Sequence, residues 1–136
     1  MEVIAQPLPV DPTKVTGLSE RLLRSHHANN YGGAVKRLNA IRAELARIDQ
    51  ARAAPFVLNG LKREELIATN SMILHELYFD SLGGDGRTME PPWDMALAAN
   101  FGSAAAWRDE FIACAKALRG GSGWVLLTFQ PREGTL

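Results

Sequence analysis

A single cysteine, Cys114, occurs in the 136 residues, so no internal disulfide can form and the chain fits a reducing compartment. Net charge is missing as well, because 15 Lys and Arg balance 15 Asp and Glu. A neutral chain gives no electrostatic reason to expect nucleic acid or an anionic membrane as a partner. No apolar run approaches the ~20 residues that a membrane-spanning helix needs. The opening MEVIAQPLPVDP has Glu2, two early prolines and no basic stretch, which is unlike a secretory signal. Internal repeats and low-complexity segments are absent too. Together these absences point to a cytoplasmic protein with neither membrane nor nucleic acid among its partners. The rest is ordinary for a globular chain: 46% apolar, 22% charged, and long enough to bury a core. Cys114 reads as a buried helical residue, with no histidine near it in sequence to make it a nucleophile.

Residues 1–16 read as an extended arm, since Pro7, Pro9 and Pro12 each lack an amide hydrogen and fix φ. Ser19 can cap a helix over about 19–50. There Leu22, Tyr31, Ala34, Leu38, Ile41, Leu45 and Ile48 recur mostly at spacings of three and four, with Lys36, Arg37, Arg42 and Glu44 outside. Gly32 and Gly33 each cost about 1 kcal/mol relative to alanine in a helix interior, which suggests close approach by another element or a kink. Pro55 and Gly60 mark 51–60 as a connection. A second helix, about 61–82, is apolar nearly all round (Leu66, Ile67, Met72, Ile73, Leu74, Leu77, Tyr78, Phe79), which predicts that it is buried. The two helices fit an antiparallel hairpin. After a loop at 83–92 come a short helix, about 93–100, and another, about 104–118, capped by Ser103 and stopped at Arg119, Gly120 and Gly121.

GWVLLTFQ (123–130) is the one convincing strand, and PREGTL after it reads as a hairpin turn. A lone strand exposes unpaired donors and acceptors, so it belongs either to a sheet that the 136 residues do not complete or to a pairing with another chain. The expected class is therefore α+β. An arm and helical-hairpin domain (1–82) precede the helices and first strand of a truncated C-terminal α/β domain (83–136).

His26 and His75 carry the chemistry. On an α-helix His26, Asn30 and Ala34 each advance about 40° and share a flank. His75 shares its face with Ala68, Ser71, Met72, Tyr78, Phe79 and Leu82, an almost wholly apolar surround. A buried neutral imidazole needs partners for both nitrogens, and a metal satisfies one. The plainer reading makes His75 a core histidine bonded to a carbonyl and His26 an exposed one. His27 falls on another side, as a surface or outer residue. Periodicity leaves both readings open.

The residues also resemble a family. HHANNYGGAVKRLN (26–39) is similar to the first-helix pattern HH-x-x-HH-x-x-Y-V-x-x-L-N of the iron/manganese superoxide dismutases, with His26, His27, Val35, Leu38 and Asn39 in register. LPVDPTKVTGLSERLL (8–23) resembles the family's N-terminal arm. NSMILHELYFDSL (70–82) resembles its N-x-x-x-x-N-H-x-x-x-W-x-x-L segment, with His75 at the ligand histidine. FGSAAAWRDEF (101–111) and GSGWVLL (121–127) resemble two further blocks. Five blocks in order cover nearly the whole chain.

The resemblance implies that His26 and His75 ligate one iron or manganese ion, in a protein that disproportionates superoxide to dioxygen and hydrogen peroxide, as a homodimer. It implies a site lining of Asn30, Tyr31, Ala34, Ser71, Phe79 and Trp124. The family's other two ligands lie in a D-x-W-E-H-A-Y block with no counterpart among these residues, and no aspartate here stands in for it. The family's tyrosine falls at Ala34 and its outer histidine at Asn30; Tyr31 could reach in from one turn away. Ser71 stands where a glutamine is frequent, Phe79 where a tryptophan is, and Leu74 where an asparagine is. These departures keep a second expectation alive: a non-catalytic scaffold or assembly subunit built on the same fold.

Overall fold

Ser19 opens the first helix as expected, its Oγ accepting from the Leu22 amide at 3.2 Å. The computed structural model describes residues 2–136. In it one helical run carries α1 (Glu20–Ser25), a π-helical turn (His26–Tyr31) and α2 (Gly32–Arg47). The turn is betrayed by the Gly32 amide, which donates to the His27 carbonyl five residues back. A π-turn is the usual form of an extra residue in a helix and is frequent at functional sites. Gly33 has no atom within 4 Å of where a Cβ would stand, and Gly32 meets only the His27 carbonyl at 3.6 Å. The two glycines therefore sit at the exit of the wide turn rather than under a crossing element.

Helix α3 spans Pro55–Asp80, so it starts six residues earlier than the expected 61. Pro55 initiates it instead of breaking it. At the first helical position the missing amide has no partner to lose, and the fixed φ suits the helix. Tyr31, early in the first run, bonds Glu76 near the end of α3, whereas Arg37 and Arg42, farther along, bond Glu64 and Glu65 nearer its start. That is the expected antiparallel hairpin. Its core has two parts. Leu38, Ile41, Leu45 and Ala68 form one, with Leu58, Leu61 and Met72 against it. Tyr31, Val35 and Phe79 form the other, with Leu8, Tyr78 and Leu82 against it.

The arm is held by its backbone. The Val3 amide donates to Asn39 Oδ1 at 2.9 Å, and Asn39 Nδ2 donates to the Val3 carbonyl at 2.8 Å. The side-chain amide thus mimics a neighbouring strand. The arm's apolar side chains, Val3 among them, complete both parts of the core.

Helix α3 is not buried all round. Only Ala68, His75 and Phe79 are buried on it, whereas Leu66 is 61% and Leu77 58% exposed. One helix and one arm cover a single face of α3, and apolar content alone does not supply a second cover.

The chain divides into two compact units, Met1–Gly84 and Asp85–Leu136. In the second, α4 (Pro91–Phe101) and α5 (Ala104–Ala117) meet at Gly102, whose φ of +83° favours glycine. Ser103 caps α5 through the Ala106 amide at 3.0 Å. Val125, Leu126 and Leu127 line a small cleft of about 80 Å³ with Phe101, Trp107 and Phe111. Cys114, expected inside, is exposed. The expected strand 123–130 makes no ladder among the described residues; one bridge, Gln130 to Thr135, closes the turn after it. A ladder needs a second strand, and the described residues contain none to pair with it, so the helical part of the expected α+β class is seen within them and the sheet part is not. No helix among them is long and apolar enough to cross a membrane.

Candidate metal centre

The hairpin brings the π-turn against the last turns of α3, and with it His26 against His75. Their ring centroids lie 5.0 Å apart with the planes at 82°. His75 is buried, 6% exposed, and His26 is half-buried. Around them His26 packs on Tyr78 (5.3 Å) and Phe79 (5.4 Å), and Phe79 stacks on His75 at 6.3 Å and 30°. Tyr78 and Phe79 thus form an aromatic wall beside the two imidazoles.

His75 Nδ1 lies 2.6 Å from the Ser71 carbonyl oxygen, with Ser71 Oγ at 3.4 Å. A carbonyl only accepts, so the short contact fixes the proton on Nδ1 and the lone pair of the neutral ring on Nε2. Metal-binding histidines are oriented in this way by the partner of their other nitrogen. Ser71 therefore acts mainly through its backbone. Burial, and secondarily the neighbouring His75, hold the His26 pKa below its ordinary 6.5. A depressed pKa keeps the imidazole neutral and available as a donor.

The π-turn corrects the helical-wheel placement of the other residues. In a turn bonded i to i+5, the residue five after His26 takes the place that the fourth would hold in an α-helix. That residue is Tyr31, which is 1% exposed and 6.5 Å from the His75 ring, while Asn30 faces solvent. Ala34 is buried, with no polar atom to offer. The Tyr31 hydroxyl accepts from the Gln6 amide at 2.8 Å and donates to Glu76 Oε1 at 2.7 Å. Burial pushes its pKa above 10.0, and the Glu76 carboxylate adds to the rise, so the phenol keeps its proton. His27, expected at the surface or outside the pair, is half-buried: its Nε2 lies 3.0 Å from the Gln6 carbonyl and its ring packs on Tyr31 and Phe79. Trp124 belongs to the second unit, half-buried in the segment after α5.

Sequence reasoning missed Glu76 and Gln6. Glu76 carried one signal, an acid directly after the candidate ligand within the largely apolar stretch 72–79. With His27, Tyr31, Phe79, Asp80 and residues of the arm, Glu76 and Gln6 line a cleft of about 340 Å³.

Two crossed imidazoles, one with its tautomer fixed, suit iron or manganese as two of a larger ligand set. The described residues hold no group of three or more His, Cys, Asp and Glu side chains able to complete it.

No model of a known protein family matches the chain. Individual proteins do. The chain is 63% identical over 131 residues to the iron superoxide dismutase of Cupriavidus metallidurans, covering 96% of itself and 66% of that relative. It is 34% identical to manganese superoxide dismutase 1 of Halobacterium salinarum, covering 96% of itself and 64% of the relative. It is 30% identical to the iron superoxide dismutase of Aquifex pyrophilus, with 92% and 60% covered. The chain thus spans under two thirds of the length of these relatives. With the histidine pair in place and a relative 63% identical over 96% of the chain's own residues, the chain belongs to the iron/manganese superoxide dismutase family.

Proposed function

We propose that the protein disproportionates superoxide to dioxygen and hydrogen peroxide at one iron or manganese ion, held in part by His26 and His75. The observation that carries this reading is the His26–His75 pair, crossed at 5.0 Å inside an aromatic wall. Relatives named as iron and manganese superoxide dismutases support the choice of reaction and of metal. What a bound metal supplies is a one-electron couple that takes an electron from one superoxide and gives it to the next, which leaves with two protons.

This chain's residues do the rest. The Ser71 carbonyl aims the His75 ring through Nδ1. Phe79 and Tyr78 cover the imidazoles and keep bulk water off them. Tyr31, protonated and buried, holds a hydroxyl within the cleft wall. Ala34 leaves the inward position of the family's tyrosine without a proton donor.

The remaining parts of the reading rest on the resemblance and on composition. Residues 1–82 are the arm and helical-hairpin domain, and 83–136 begin an α/β domain in which 123–130 is a strand. The protein is a homodimer, cytoplasmic and antioxidant, as the single cysteine and the family likeness support. A pulse of superoxide decayed by the full-length, metal-loaded protein tests the activity. Decay first order in superoxide and proportional to protein is expected. Uncatalysed second-order decay, with metal bound, would instead establish the non-catalytic scaffold.

A further inference from the structure

Among the described residues, three side-chain hydrogen bonds or ion pairs join the first helical run to α3. Two of them, Arg37 with Glu64 and Arg42 with Glu65, are partly exposed ion pairs well along the hairpin from the histidines. Exposed pairs of this kind contribute little. The third is different in place and surroundings. Tyr31 closes the π-turn that begins at His26, and Glu76 follows His75 directly. Their hydrogen bond, 2.7 Å long, has a donor that is 1% exposed and a half-buried acceptor. The same phenol oxygen receives the Gln6 amide at 2.8 Å, so it is fixed from both sides.

We propose that Tyr31 and Glu76 are positioning residues for the histidine pair, their hydrogen bond setting the distance and angle between His26 on the π-turn and His75 on α3. The inference rests on the metal reading above. The reason is mechanical. The π-turn holds a wider, less favourable register than the α-helix on either side of it, and His26 rides on its first residue. Ring packing on Tyr78 and Phe79 resists separation of the helices but tolerates sliding and rotation. A charge-assisted hydrogen bond fixes direction as well as distance. Without it, the turn can relax to an α-helical register that carries His26 out of alignment with His75.

The test uses the full-length protein loaded with manganese(II), with affinity and the electron paramagnetic resonance spectrum of the bound ion as readouts. Tyr31→Phe and Glu76→Leu are expected to weaken binding by about 10–100-fold, the usual effect of losing a group that orients a ligand, and to alter the spectrum. Glu76→Gln, whose amide oxygen still accepts from the phenol, is expected to restore both toward wild type. If Tyr31→Phe fails to fold, the Glu76→Leu and Glu76→Gln pair carries the test alone. Folded variants with wild-type affinity and spectrum would overturn the proposal, even if their melting temperatures fall. A wild-type protein that binds no manganese or iron would overturn the metal reading itself, a separate result.

Discussion

The rings of His26 and His75 stand 5.0 Å apart and nearly perpendicular, one on a π-helical turn and the other on the penultimate turn of its antiparallel partner. Neither helix alone makes a site. The hairpin makes it, and its packing and titration should therefore answer to the same residues.

The pH dependence of the metal-free protein should show His26. Burial, then the neighbouring His75, lower its folded pKa below 6.5, so the unfolded chain takes up the proton first as pH falls. The stability held by the neutral ring is complete above 6.5 and declines as pH drops below that value toward the lower folded pKa. Denaturant unfolding at pH 7 and pH 5 checks this. The wild type should lose more stability across the interval than His26→Gln; equal losses would contradict the assignment.

Asn39→Ala should free the arm. Two hydrogen bonds to Val3 disappear at once, each contributing about 1 kcal/mol net. A loss of about 1–3 kcal/mol in denaturant unfolding is expected, together with faster amide exchange at Val3. Asn39→Asp keeps the acceptor for the Val3 amide but turns a second carboxylate oxygen toward the Val3 carbonyl, so it should not restore the lost stability.

Leu38 is fully buried at the centre of the hairpin core. Leu38→Ala should cost about 2–5 kcal/mol, through lost burial and the cavity left behind. Exposed Lys36, two residues earlier, should change by no more than about 0.5 kcal/mol when replaced by alanine. Equilibrium unfolding of the two variants side by side gives the comparison.

The parts of the fold legible in the sequence are those that local chemistry decides. Ser19 and Ser103 cap helices because a hydroxyl meets an orphan amide three residues on. The stripe through Leu38, Ile41 and Leu45 is inward because the α-helix repeats at that spacing. What was not legible depends on partners or on small departures from ideal pitch. Pro55 supports a start as readily as a stop, and only the packed helix distinguishes them. The π-turn adds a residue without changing composition, so the wheel put Asn30 where Tyr31 stands. The apolar residues of α3 and the segment 123–130 state what could be covered, not what covers it. The histidine pair was legible because its frame resembles a known family, whereas Glu76 lies outside that pattern.

The most direct measurement is the iron and manganese content of the full-length protein, purified without added metal, beside His26→Ala and His75→Ala. The account expects about one ion per chain in the wild type and its loss in both variants, with the helical circular dichroism signal retained. Metal-free wild type, or metal retained in full by both folded variants, would contradict the claim that these two imidazoles hold it.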